Sequence, residues 1–134
     1  MHEKSIKFWG VTVGILGAVS VALGAFAAHT LRDLVEPSRL ATFQTGVSYM
    51  QFHVAGIAAI VLLMLYAGPV PWLRRAAAFQ AVGIVLFTGS LTTLTVTGAT
   101  WLGAVAPIGG VAFIAGWLSV AVFFSQSHLL RKEV

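Results

Sequence analysis

The stretch from Phe43 to Ala67 limits what this chain can fold into more than any other. From Val54 to Ala67 every residue is apolar or small. A helix over that run rises only about 21 Å, short of a hydrocarbon core about 30 Å thick. To complete a crossing, the helix has to carry Ser48, Tyr49, Gln51 and His53 into the membrane. Lipid offers no hydrogen bonds there, and each unpaired polar group costs on the order of several kcal/mol. The expectation is that other helices cover these side chains.

With 58% hydrophobic and 9% charged residues, the chain lies far from the soluble mix of about 25% charged. It reads as one membrane domain. The absence of cysteine removes disulfides, thiol redox chemistry, Cys-ligated zinc and iron–sulfur clusters. The basic residues stand between apolar blocks as Lys4 and Lys7, Arg32 and Arg39, Arg74 and Arg75, and Arg131 and Lys132. They read as topology signals. No Gly-rich phosphate loop follows a strand and no basic stripe carries interleaved aromatics, so nucleic acid is not an expected partner.

The blocks predict an all-α, polytopic membrane protein with four transmembrane helices at about 8–28, 46–67, 76–96 and 102–124 in a single domain, 1–134. Helix two extends back to about residue 37, where proline suits a first turn; at roughly 46 Å it is longer than the membrane. Ala25-Phe26-Ala27 imitates a signal-peptide cleavage site, but the apolar run before it is too long for one, and the segment reads as a retained span. Gly68-Pro69-Val70-Pro71 ends helix two, and Pro107 starts or kinks helix four. Both termini fall on one side, together with Lys4, Lys7, Arg74, Arg75, Arg131 and Lys132, against Arg32 and Arg39 on the other. By the positive-inside rule the N- and C-termini are cytoplasmic.

Small residues supply the packing signal. Gly10, Gly14, Gly17, Val21, Gly24 and Ala28 share one face of helix one, and helix four carries the lines Gly103, Pro107, Gly110 and Gly109, Ala112, Gly116. Such seams let backbones approach closely, a main source of association in lipid. A four-helix monomer need not use them all, so a homo-oligomer is expected.

The candidate chemistry is sparse. His29 and His53 are the histidines placed for burial; they are able to ligate metal or haem, but structural hydrogen bonding within the bundle is the favoured explanation, and no metal or cofactor is expected. Glu3, Asp33, Glu36 and Glu133 all lie outside the spans. No carboxylate pair is therefore available for acid–base work, and no embedded acid for proton-coupled transport. Ser48, Ser90 and Ser119 have no G-x-S-x-G context, and no residue is read as catalytic. Gln44, Tyr49, Gln51, His53 and Trp101 point to a neutral polar pocket near the outer leaflet, able to hold a lipid headgroup or a quinone-like molecule, or else to a sealed polar core. The leading expectation is a non-enzymatic protein binding a lipid, a small hydrophobic quinone-like ligand or a partner protein. The alternative is a small channel or carrier for a neutral or anionic solute. Beyond Gly56 helix two is apolar and helix one offers only Thr12 and Ser20, which describes a cup more readily than a tube.

The run Gly24-Ala25-Phe26-Ala27-Ala28-His29, followed by Phe43, Thr45, Tyr49 and His53, resembles the signature of domain of unknown function family 423, relatives of the animal transmembrane protein 256. Leu86-Phe87-Thr88-Gly89-Ser90-Leu91 looks like that family's next block. Gly98, Trp101-Leu102-Gly103-Ala104, Pro107, Gly109-Gly110 and Gly116-Trp117 look like its last. The resemblance covers nearly the whole chain in order, with one departure at Ala27, where the family has glycine. It implies a four-span protein of the bacterial inner membrane and carries no activity with it.

Overall fold

The structure is a computed structural model and describes residues 2–126. Arg131 and Lys132, which entered the topology reading, and Glu133, one of the four acids, lie outside the described residues. Among those described there are helices and turns and no strand: α1 (His2–His29), α2 (Pro37–Ala67), α3 (Pro71–Gly83), α4 (Gly89–Thr97) and α5 (Ala106–Gln126). A π-helical turn, Ile84–Thr88, joins α3 to α4, so that Pro71–Thr97 forms one continuous rod. The result is four rods long and apolar enough to cross a membrane, the all-α four-span architecture that the apolar blocks imply.

Local chemistry sets the ends of the rods. Pro37 opens α2, where its missing N–H is no loss. Gly68, at φ 81°, ends it, and Pro71 opens α3 two residues after buried Pro69. α4 stops at Gly98, whose φ of 74° is left-handed and whose N–H donates to the Leu94 carbonyl at 2.8 Å. The Arg39 guanidinium fills the space that a side chain at Gly98 would need. A 3-10 turn, Thr100–Ala104, then leads into α5.

The core lies between α2, the α3–α4 rod and α5. Ile57, Ile60 and Met64 of α2 and Leu73 of α3 are fully buried there. The α3–α4 rod and α5 approach most closely, through glycines that face large groups. A side chain at Gly83 would strike the Phe113 ring; one at Gly109 would strike the Phe87 backbone; one at Gly116 would meet Gln80 and the Ala76 carbonyl. Hydroxyls face α2 from the same rod: Thr88 donates to the Gly46 carbonyl at 2.8 Å, and Thr95, whose single proton is shared with the Leu91 carbonyl of its own helix at 2.9 Å, reaches the Arg39 carbonyl at 3.3 Å.

α1 is peripheral. Only 11% of its most apolar window is buried, against 39%, 39% and 33% for the other three rods. It rests on α2 through Leu16, Ser20, Leu23 and Ala27, and a small second cluster of Ala27, Leu31, Phe43 and Val47 anchors its end. The glycine seam differs from expectation here. Gly17 and Gly24 touch α2 at its edge, against Val54 in one case and against Gln51 and Val47 in the other, while no atom stands within 4 Å of where a side chain at Gly10 or Gly14 would begin. The row Leu16, Ser20, Leu23 and Ala27, about a quarter turn round the helix from the seam, makes the contact with α2, so most of the seam faces outward.

Candidate functional site

A groove of about 670 Å³ lies between α2, the π-helical turn and α5. Ser48, Tyr49, Phe52 and His53 form one wall, Phe87 the floor at the π-helical turn, and Pro107, Gly110, Phe113, Ile114 and Trp117 the other wall. The spacing on α2 explains its contribution. Tyr49 and His53 lie one turn apart and share a face, and Phe52 sits beside them.

The groove is lined by rings in contact. The imidazole of His53 lies flat on Phe113, with centroids 3.5 Å apart and planes 10° from parallel. Tyr49 stacks on Phe87 at 4.6 Å and 28°, and Phe52 meets Trp117 at 5.7 Å. Nδ1 of His53 is 2.7 Å from the Tyr49 carbonyl oxygen. A carbonyl only accepts, so Nδ1 is the donor; in the neutral ring Nε2 then carries the lone pair. Among the described residues Nε2 has no hydrogen-bond partner, nor does the Ser48 hydroxyl. The chemistry on offer is a broad aromatic bed with a hydrogen-bond acceptor at His53 and hydroxyls at Tyr49 and Ser48.

Of the residues that the sequence singled out, the structure brings Tyr49 and His53 together in this groove. His29, Gln44, Gln51 and Trp101 do not line it. The expectation that neighbouring helices cover the polar half of α2 is corrected. His53 is buried, but Tyr49 is 46% exposed, and Gln44, Ser48 and Gln51 are exposed. The covered row of α2, Gly46, Met50, His53, Ile57, Ile60 and Met64, lies on the side of the helix away from Gln44 and Gln51. Gln51 turns toward α1, where its Nε2 lies near Gly24. Trp101 sits on the 3-10 turn, 69% exposed, and His29 is exposed at the end of α1.

Sequence reasoning passed over Phe113, Phe87 and Gln80. Gln80 is fully buried, and neither polar atom of its amide has a partner. It lies between Gly56 and Gly116, with the Trp117 ring also against Gly56. The available signal was a lone amide interrupting Ala76-Ala77-Ala78-Phe79-Gln80-Ala81. For Phe113, it was the row Gly109, Phe113, Gly116, which at steps of four and three puts one large residue between two small ones on a single face. Among the described residues no three His, Asp or Glu side chains gather as a metal-binding group.

The fold and the groove define a four-span helical membrane protein with an aromatic–imidazole cleft opening between two of its helices. Residues 23–110 match the family described as "Protein of unknown function (DUF423)". The chain is 39% identical over 112 residues to the UPF0382 membrane protein YwdK of Bacillus subtilis, covering 81% of this chain and 91% of that one. It is 35% identical over 128 residues to the UPF0382 inner membrane protein YgdD of Escherichia coli, covering 96% and 95%. It is 37% identical over 109 residues to a UPF0382 membrane protein of Haemophilus influenzae, covering 81% and 86%. No solved structure matches the chain. The chain belongs to the DUF423 family, and it is a multi-pass protein of the bacterial inner (plasma) membrane.

Proposed function

We propose that this chain is a non-enzymatic binder of a small amphiphile, held in the groove between α2 and α5. The observation that carries the reading is the His53–Tyr49 hydrogen bond beneath the stack on Phe113. It fixes the ring and turns an acceptor nitrogen toward a ligand. An acceptor selects a donor, so the favoured occupant bears a hydroxyl on a flat or apolar body, such as a reduced quinone, more than a fully oxidised quinone whose oxygens only accept. The fully buried row Ile57, Ile60 and Met64 favours this cup over a channel or carrier. With the basic residues Lys4, Lys7, Arg74 and Arg75 on the side of the termini, the same reading puts both termini in the cytoplasm and the groove toward the outer leaflet.

Native mass spectrometry of the purified chain with a short-chain benzoquinol and the matching benzoquinone tests it. The expected result is preferential retention of the quinol, lost in His53→Ala and weakened in Tyr49→Phe. Equal retention of both forms, or retention undiminished in His53→Ala, overturns the reading.

A further inference from the structure

A second groove, of about 650 Å³, lies at the opposite corner of the molecule, between the first turns of α1 and α3. Lys4 from α1 and Arg74 and Arg75 from α3 bring three cations to it, with Ser5 beside them and Phe8 and Trp9 as an aromatic wall. We propose that it binds the phosphate headgroup of an anionic phospholipid.

Four observations bear on this. The cations have no carboxylate partner: the one ion pair among the described residues is Arg32–Asp33, so no described carboxylate neutralises Lys4, Arg74 or Arg75. The basic corner is braced. Arg75 stands 4.6 Å over the Trp72 ring, and the Trp72 indole N–H donates to Oε1 of Gln126 at 3.0 Å, tying the start of α3 to the end of α5. The helix start at Pro71 lines the groove, and its positive dipole end adds to the field an anion meets. The fourth observation separates a lipid from free phosphate. Below the cations the wall is aromatic, and it continues along α1 as outward-facing Phe8, Val11 and Ile15, 61%, 54% and 59% exposed, a strip on which an acyl chain lies. Basic pockets between membrane helices take anionic headgroups in this way, and the site is independent of the α2–α5 groove.

The test places the full chain in nanodiscs of equal parts phosphatidylglycerol and phosphatidylcholine and counts the lipids that stay bound on release into native mass spectrometry. The wild type is expected to retain phosphatidylglycerol over phosphatidylcholine. A variant combining Lys4→Gln, Arg74→Gln and Arg75→Gln loses that preference by roughly tenfold or more, whereas Arg32→Gln, in the 3-10 turn Leu31–Asp33 beyond the far end of α1, keeps it. All three groove positions are exposed, and circular dichroism of each variant checks that the bundle is intact. Millimolar inorganic phosphate that failed to displace the lipid would support the acyl contribution. Displacement by phosphate at low excess, equal retention of the two lipids by wild type, or an undiminished preference in the triple variant overturns the proposal.

Discussion

Phe113 of α5 covers His53 of α2, ring against ring at 3.5 Å, and it reaches that position by occupying the space that Gly83 of α3 leaves open. One glycine thus positions an imidazole on another helix. Gly83→Val is expected to push the Phe113 ring off its site. Overpacking of this kind costs about 1–3 kcal/mol, read as a lowered midpoint of unfolding in detergent together with loss of the quinol adduct. An unchanged midpoint would show that the ring has room to move aside.

Two neighbouring glycines on α5 separate stability from binding. A Cβ at Gly109 meets the backbone of Phe87, which cannot swing away, whereas Gly110 lines the groove with no atom within 4 Å of its Cβ position. Gly109→Ala should destabilise by about 1–3 kcal/mol despite alanine's better helix propensity. Gly110→Leu should leave the unfolding midpoint close to that of wild type and block the groove. Chemical unfolding and ligand retention, measured side by side on the two variants, check this pair.

Gln80 is fully buried with its amide unpaired, a state that costs about 1–3 kcal/mol. Replacement by methionine, of similar length and shape, should therefore raise the unfolding midpoint, with a gain on the order of 1 kcal/mol. A fall instead would mean that the amide has a partner when the protein is in its membrane. Comparison of Gln80→Met with wild type in lipid nanodiscs and in detergent distinguishes the two.

The outward seam of α1 bears on self-association, which we infer from its small residues. The chain has no cysteine, so single cysteines report on contacts directly. Gly14→Cys, on the open face, is expected to give disulfide-linked dimers in oxidised native membranes. Leu16→Cys, packed toward α2, should stay monomeric. Monomer alone from both positions at every oxidant dose would remove the idea.

The sequence exposed some of this plainly and hid the rest. The chemistry at Pro37, which opens a helix, and at Gly68 through Pro71, where the Gly-Pro pair closes one helix and a second proline opens the next, is local. The pairing of Tyr49 with His53 was legible too, since residues four apart on a helix share a face. What could not be read was which side of α2 its neighbours take. Gln44 and Gln51 are as polar as His53, yet only the histidine falls on the row that meets the core. Gln80 was hidden for a related reason: an apolar block announces a span, not the direction in which its one amide turns.

By itself, then, the sequence determined that the chain has four segments long and apolar enough to cross a membrane, that Pro37 opens helix two and Gly68 through Pro71 closes it, and that helix two brings polar groups with it. Those are properties of single segments, set by transfer free energy and backbone conformation. The tertiary structure alone decided that α1 stands to one side with Gly10 and Gly14 facing out, and that Phe113 fits over Gly83 and onto His53. It likewise decided that the cleft is aromatic more than polar. Fitting a large group on one helix into the space left by a glycine on another involves two segments far apart in the chain, and no pattern within either one specifies it.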